Sequence, residues 1–146
     1  MIRKETVIGL GAAALAVSAA AQDAPSLATC DLAVLAKSEL LGAVLFDESS
    51  ANLGPSARAT LSALLDAVKA AGYTRLLVVG HTDEAGSPQD NLALGRRRAL
   101  VAVSRLTPNA GAVALEPMSC GESLPAIRAS GRRHPHNRRV ELRGLR

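Results

Sequence analysis

Asp83 and Arg98 are the two side chains of this sequence best suited to hold a charged ligand. Asp83 lies in Gly80-His81-Thr82-Asp83-Glu84-Ala85-Gly86, directly after the apolar run Leu76, Leu77, Val78, Val79. A loop between a strand end and a helix start is a common place for a ligand. On the helix that follows, Asn91, Gly95 and Arg98 fall at i, i+4 and i+7 and share one face. Gly95 lacks a side chain and is expected to leave room above that face. A carboxylate and a guanidinium converging on one cleft suit a zwitterion: Asp83 takes an ammonium, and Arg98 takes a carboxylate in fork geometry. The same pattern also fits an internal Asp83–Arg98 ion pair with no ligand.

Catalytic chemistry finds no equivalent set. His81 and Asp83 lack a third metal ligand at credible spacing. Ser87 is better used as a helix cap, and Cys120, beside Gly121 and Glu122, has no obvious His partner. With no nucleophile, base and orienter to name, the expectation is a non-enzymatic protein with no cofactor and no metal.

The elements that must position these residues alternate. Leu41 to Phe46 reads as a strand and Ser56 to Ala71 as a helix, with Pro55 at its start and Gly72 as its stop. Leu61, Leu64, Leu65 and Val68 recur at helical spacing. Arg75 to Gly80 is the clearest strand, its unbroken apolar run fitting a central position. A second helix opens at Ser87-Pro88-Gln89-Asp90 and runs to about Leu106. Its expected buried stripe is Leu92, Ala99, Val103 and Leu106. Ala112 to Met118 and Arg138 to Arg143 read as two later strands. In the last, Val140 and Leu142 face one side, and Arg139, Glu141 and Arg143 the other. The order βαβαβ(loop)β predicts an α+β fold: two layers, with helices packed on a small mixed sheet.

The chain has 146 residues, enough for one compact domain. Residues 1–21 combine Arg3 and Lys4, a short apolar run, and Ala19, Ala20 and Ala21 before Gln22, and predict a cleaved secretory leader. Loss of Arg3, Lys4 and Glu5 with that leader would take the net charge from +4 to +3. Residues 22–39 are expected to be a flexible lead and 40–146 the domain. Export implies a periplasmic protein, either free or associated with the outer membrane. Cys30 and Cys120 are the only cysteines, and in an oxidising compartment an even number can pair or stay as two thiols. A basic surface fits an anionic partner. Nucleic acid is disfavoured by the export signal, by the scarcity of aromatic rings, and by Arg96, Arg97 and Arg98 pointing to different helix sides. An envelope protein-interaction module is one reading that fits an exported basic protein. The basic loop Arg128 to His136 reads as solvated.

The order and spacing of these motifs resemble the OmpA-like C-terminal domain, a family that includes the peptidoglycan-associated lipoprotein and the wall-anchoring part of flagellar stators. The resemblance rests on Gly80-His81-Thr82-Asp83, Gly86, Asn91, Leu94, Arg98 and Ala99. It continues through Gly121-Glu122 with Pro125, then Gly131-Arg132 and Asn137-Arg138-Arg139-Val140-Glu141, and it spans roughly Leu40 to Leu142. It implies non-catalytic binding of peptidoglycan through the diaminopimelate of the stem peptide. Asp83 and Arg98 would hold the ligand. Asn91 and Leu94 would support the pocket, with Thr82 and Arg139 as neighbours. Gly95 stands where the family often has Ser. On this reading Asp83→Ala and Arg98→Ala should both lose wall binding and keep the fold.

Overall fold

The computed structural model describes residues 29–126 and 133–146. The expected leader, residues 22–28 of the lead, and Arg128 and Arg132 of the basic loop lie outside the described residues. Among the described residues, no helix is long and apolar enough to cross a membrane.

The elements run α1 (Leu32–Lys37), β1 (Glu39–Leu45), α2 (Pro55–Ala70), β2 (Arg75–His81), α3 (Pro88–Leu106), β3 (Ala114–Gly121) and β4 (Arg139–Leu145). Short 3-10 turns occupy Thr107–Asn109 and Pro135–Asn137. The four strands form one mixed sheet in the order β1-β4-β2-β3. β4 is antiparallel to both β1 and β2, whereas β2 and β3 are parallel. The fold is therefore the expected α+β arrangement of helices on a small mixed sheet.

Local chemistry explains the boundaries. Pro55 and Pro88 both stand at a helix start, where the missing N–H costs nothing. The Ser87 hydroxyl caps α3 by accepting from the Asp90 N–H at 3.1 Å. Gly72, at φ +80°, ends the α2 turn in the left-handed region that favours glycine. Pro117 sits in β3, an edge strand, where a missing ladder donor is tolerated. β3 runs further than the sequence predicts because its parallel pairing with β2 continues until Gly121 faces His81.

Leu61, Leu65 and Val68 of α2 and Ala99, Ala102 and Leu106 of α3 pack on Leu76, Val78, Val140, Leu142, Val44 and Phe46. Each fully buried Leu or Val contributes about 1.5–3 kcal/mol of burial. The α3 stripe differs from the expected one at its N-terminal end. There the buried residues are Asn91, Gly95 and Arg98, while Leu92 is only partly buried.

The second face of the sheet corrects the expectation of a flexible lead over 22–39. From Thr29 onward the described chain belongs to the fold. Thr29 bridges to Ser119, and the Cys30 N–H donates to the Ser119 carbonyl at 2.9 Å. Asp31 caps α1 by accepting from Ala33 and Val34 N–H groups. Val34 and Leu35 then pack on Leu77, Val79, Met118, Cys120 and Leu145. Cys30 and Cys120 form a disulfide, with Cα atoms 4.4 Å apart. An α1 of six residues is too short to hold itself; the apolar seat and the crosslink hold it. β2 is thus covered on both faces, which accounts for its apolar run.

Candidate ligand-binding site

The site lies where β2 ends and α3 begins, and close backbone contact makes it. Gly80 and Gly95 face each other without side chains. A Cβ on Gly95 would stand 2.4 Å from the Ser119 hydroxyl and 3.0 Å from the Gly80 carbonyl oxygen. The room that Gly95 was expected to leave open is therefore filled by β2 and β3. What this approach achieves is to lay α3 on the sheet, so that side chains on its N-terminal half reach the strand end.

Arg98 shows the result. Its residue exposure is 0%, and its three nitrogens bind three backbone carbonyls. Nε donates to Ser50 at 2.7 Å, Nη1 to His81 at 2.9 Å and Nη2 to Asp47 at 2.9 Å. The guanidinium also lies 5.2 Å from the Phe46 ring centroid. The fork expected to await a carboxylate is already spent on the fold. Burial, only partly offset by the charge of Asp83, lowers the Arg98 pKa to about 10, so it remains a cation at neutral pH.

Asp83 is 5% exposed, and its direct partner is Arg138 rather than Arg98. Arg138 Nη1 donates to Asp83 Oδ2 at 3.3 Å, and Arg138 Nε donates to the Phe46 carbonyl at 3.0 Å. The other carboxylate oxygen accepts from the Ala85 N–H at 3.2 Å. Arg98 and Arg138 thus grip the consecutive carbonyls of Asp47 and Phe46, and Asp83 lies in the field of both cations. Neither of the two arrangements open in the sequence, a free cleft or a direct Asp83–Arg98 pair, matches this one.

The supporting residues divide. Thr82 is buried; its hydroxyl donates to the Asp83 carbonyl and its N–H to Gly121. Asn91 is buried and donates from Nδ2 to the Asp83 carbonyl at 3.2 Å and to Glu122 Oε1 at 2.8 Å. Leu94 is partly buried on α3. Arg139 does not belong with them. It pairs with Glu141 at 2.7 Å and donates to the Leu124 carbonyl at 3.1 Å. Strand residues alternate faces, so Arg139 points to the sheet side away from α3, while Arg138, just before the strand, reaches Asp83. Arg138 and Glu122 are the residues that sequence reasoning missed. Both lie inside motifs already noted, Arg138 one position before Arg139 and Glu122 two positions after Cys120.

On that second side the charges form their own network. Glu141 binds Arg139 and Arg143, and His81 Nε2 lies 3.5 Å from Glu141 Oε1. Burial opposes ionisation of Glu141, but His81, Arg139 and Arg143 outweigh it and hold its carboxyl well below the usual carboxylate range. Burial lowers the His81 pKa, so the imidazole is neutral near pH 7. His81 therefore braces the strand end beneath the site, its carbonyl turned to Arg98 and its ring to Glu141. A cavity of about 370 Å³ flanks the gripped loop, lined by Asp47, Asn52, Gly54, Ser56 and Thr60 among others.

The α+β scaffold that carries this site has relatives among known proteins. The model of the OmpA family covers residues 45–138, and the chain belongs to that family. The peptidoglycan-associated lipoprotein of Pseudomonas putida is 39% identical over 101 residues, which make up 67% of this chain and 60% of that protein. This chain thus spans less than two thirds of that relative's length. Among solved structures, the peptidoglycan-associated lipoprotein from Burkholderia pseudomallei superposes with a TM-score of 0.64 at 28% identity, over 70% of this chain and 89% of its own. The C-terminal domain of Helicobacter pylori MotB shares the fold at 18% identity and a TM-score of 0.60, over 69% and 81% of the two chains.

Proposed function

We propose that this protein binds peptidoglycan without chemistry, through the diaminopimelate of the stem peptide, and so anchors itself to the cell wall from the periplasm. The observation that carries this reading is the placement of Asp83, a buried carboxylate on a loop between strand and helix, in the field of Arg98 and Arg138. A carboxylate held among cations binds a zwitterion by exchanging partners: the ligand ammonium turns to Asp83 and its carboxylate to the cationic side. Arg98 is the fixed charge of that side. The relatives named for their association with peptidoglycan support the ligand class. The disulfide fits an oxidising compartment such as the periplasm.

Co-sedimentation of the full chain with purified sacculi, with free diaminopimelate as competitor, tests the reading. Binding that diaminopimelate displaces is the expected result. A protein that stays in the supernatant, yet captures envelope proteins, would be an interaction module instead.

A further inference from the structure

We infer that the outer edge of β1 docks a second copy of this chain: two β1 strands pair antiparallel about a two-fold axis near Gly42 and join the two sheets into one.

The two edges of the sheet are not alike. β1 and β3 are its outer strands. The edge of β3 is guarded. Pro117 carries no backbone donor, and at the far end Thr29 bridges to Ser119 while the Cys30 N–H donates to the Ser119 carbonyl at 2.9 Å. β1 has neither a proline nor a charge after Glu39, its first residue. No described strand pairs with its outer edge. The Phe46 N–H donates to the Arg138 carbonyl at 2.8 Å, so by the alternation of an antiparallel ladder the backbone groups of Ala43 and Leu45 point away from β4. Such an edge is a template for another strand.

The side chains along this edge suit a strand like β1 itself. Leu40, Ala43 and Leu45 are exposed, Leu40 at 51% and Leu45 at 47%. They stand in register with Arg143, Glu141 and Arg139, and so share the sheet face away from α2. On the α2 face, two cavities flank the strand. One of about 370 Å³ lies beside Val44, Asp47 and Thr60, and one of about 310 Å³ beside Leu41, Leu64 and Ala67. Between them α2 closes on the strand, because a Cβ on Gly42 would stand 2.7 Å from the Leu64 methyl carbons. An added strand therefore finds room to either side of Gly42 and little at it. β1 has the matching pattern: Gly42 at its centre, with aliphatic residues before and after.

The charges at the ends select the same partner and its direction. Lys37 lies five residues before Gly42 and Asp47 five after it, and both are exposed. Antiparallel pairing about Gly42 brings Lys37 of each copy to Asp47 of the other, giving two opposite-charge contacts. Parallel pairing would set like ends together. A two-fold contact of this kind closes at two copies. The two Asp83 sites then stand at opposite ends of the joined sheet, and the inference does not depend on what they bind.

Sedimentation equilibrium of the full chain across the micromolar range, with the disulfide intact, is the test. The parent should show a monomer–dimer equilibrium and no larger species. Leu45→Lys places a charge on the exposed edge. Counted twice by the symmetry, it should raise the dissociation constant at least roughly tenfold while thermal unfolding stays parental. Lys37→Glu and Asp47→Lys each set like charges together and should each weaken self-association by roughly fivefold or more. Mixing these two variants restores an opposite-charge contact at both ends, so the mixture should associate more tightly than either variant alone. That result decides the matter if Leu45→Lys does not fold. A parent that stays monomeric overturns the inference. So does a dimer that a folded Leu45→Lys leaves intact, a mixture no stronger than its components, or an open series of larger oligomers.

Discussion

Gly80 and Gly95 meet backbone to backbone, so closely that a Cβ on Gly80 would stand 1.8 Å from the Gly95 carbonyl oxygen. The carbonyl belongs to α3 and cannot yield as a flexible side-chain end would. Gly80→Ala should therefore push α3 off the sheet and cost at least about 1–3 kcal/mol, the usual range for overpacking. The denaturation midpoint in urea reads it directly. Gly95→Ala meets mainly the Ser119 hydroxyl, so Ser119→Ala in the same chain should recover part of its loss. An additive double variant would show that the clash lies elsewhere.

Asp83→Ala and Arg98→Ala are expected to behave differently, unlike the matched pair that the sequence implies. Removing Asp83 leaves Arg138 partly solvated and bound to Phe46, so the fold should hold while sacculus binding falls by roughly 30-fold or more. Removing Arg98 leaves the carbonyls of Ser50, His81 and Asp47 without their donor, and hydrogen bonds to a charged group contribute about 1.5–3 kcal/mol each. Arg98→Ala should thus unfold several degrees lower as well as lose binding. Calorimetry beside sedimentation on the same samples distinguishes the two; an Arg98→Ala protein as stable as the parent would contradict this account of the buried guanidinium.

The acid limb of stability should come from the second sheet face. Glu141 has a folded pKa below its unfolded one, so its contribution is complete above the ordinary carboxylate range and fades as pH falls through and below it. His81 is buried neutral, with its folded pKa depressed. The unfolded chain therefore takes up that proton first, and stability falls as pH drops below about 6.5. Both effects have the same sign. His81→Gln should flatten the stability profile from pH 7 to 5. Glu141→Gln should flatten it below about pH 4.5 while lowering stability at pH 7 by ~3–5 kcal/mol, because Arg139 and Arg143 lose their partner. Chemical denaturation across pH 3–8 is the measurement, and an unchanged slope in either variant counts against its residue.

Reduction of Cys30–Cys120 should release α1 from the sheet. The bonded residues are 90 apart in sequence, and the chain-entropy model gives about 4–5 kcal/mol for closing such a loop. Cys30→Ser should therefore melt lower than the parent, and reductant should move only the parent. Mass spectrometry of the protein prepared without reductant supplies the prior check, since two alkylatable thiols would remove the basis for the comparison.

The periodic elements were legible in the sequence. Leu61, Leu65 and Val68 at helical spacing, the apolar run Leu76–Val79, and the Ser87-Pro88 start each depend on neighbours a few residues away. Local physics suffices to place them. So does the position of Asp83, which follows from where one strand must stop. The partners of Asp83 and Arg98 were not legible, because they come from chain segments far apart: Asp47 and Ser50 after β1, His81 at the end of β2, and Arg138 before β4. Periodicity says which face of a helix is buried. It does not say whether a guanidinium on that face meets a ligand or a carbonyl. Gly95 reads in sequence as a gap, and only the arrival of Gly80 decides that the gap is filled. The choice between Arg138 and Arg139 turns on one residue of register at the start of β4, and pairing with β1 and β2 across the sheet sets that register.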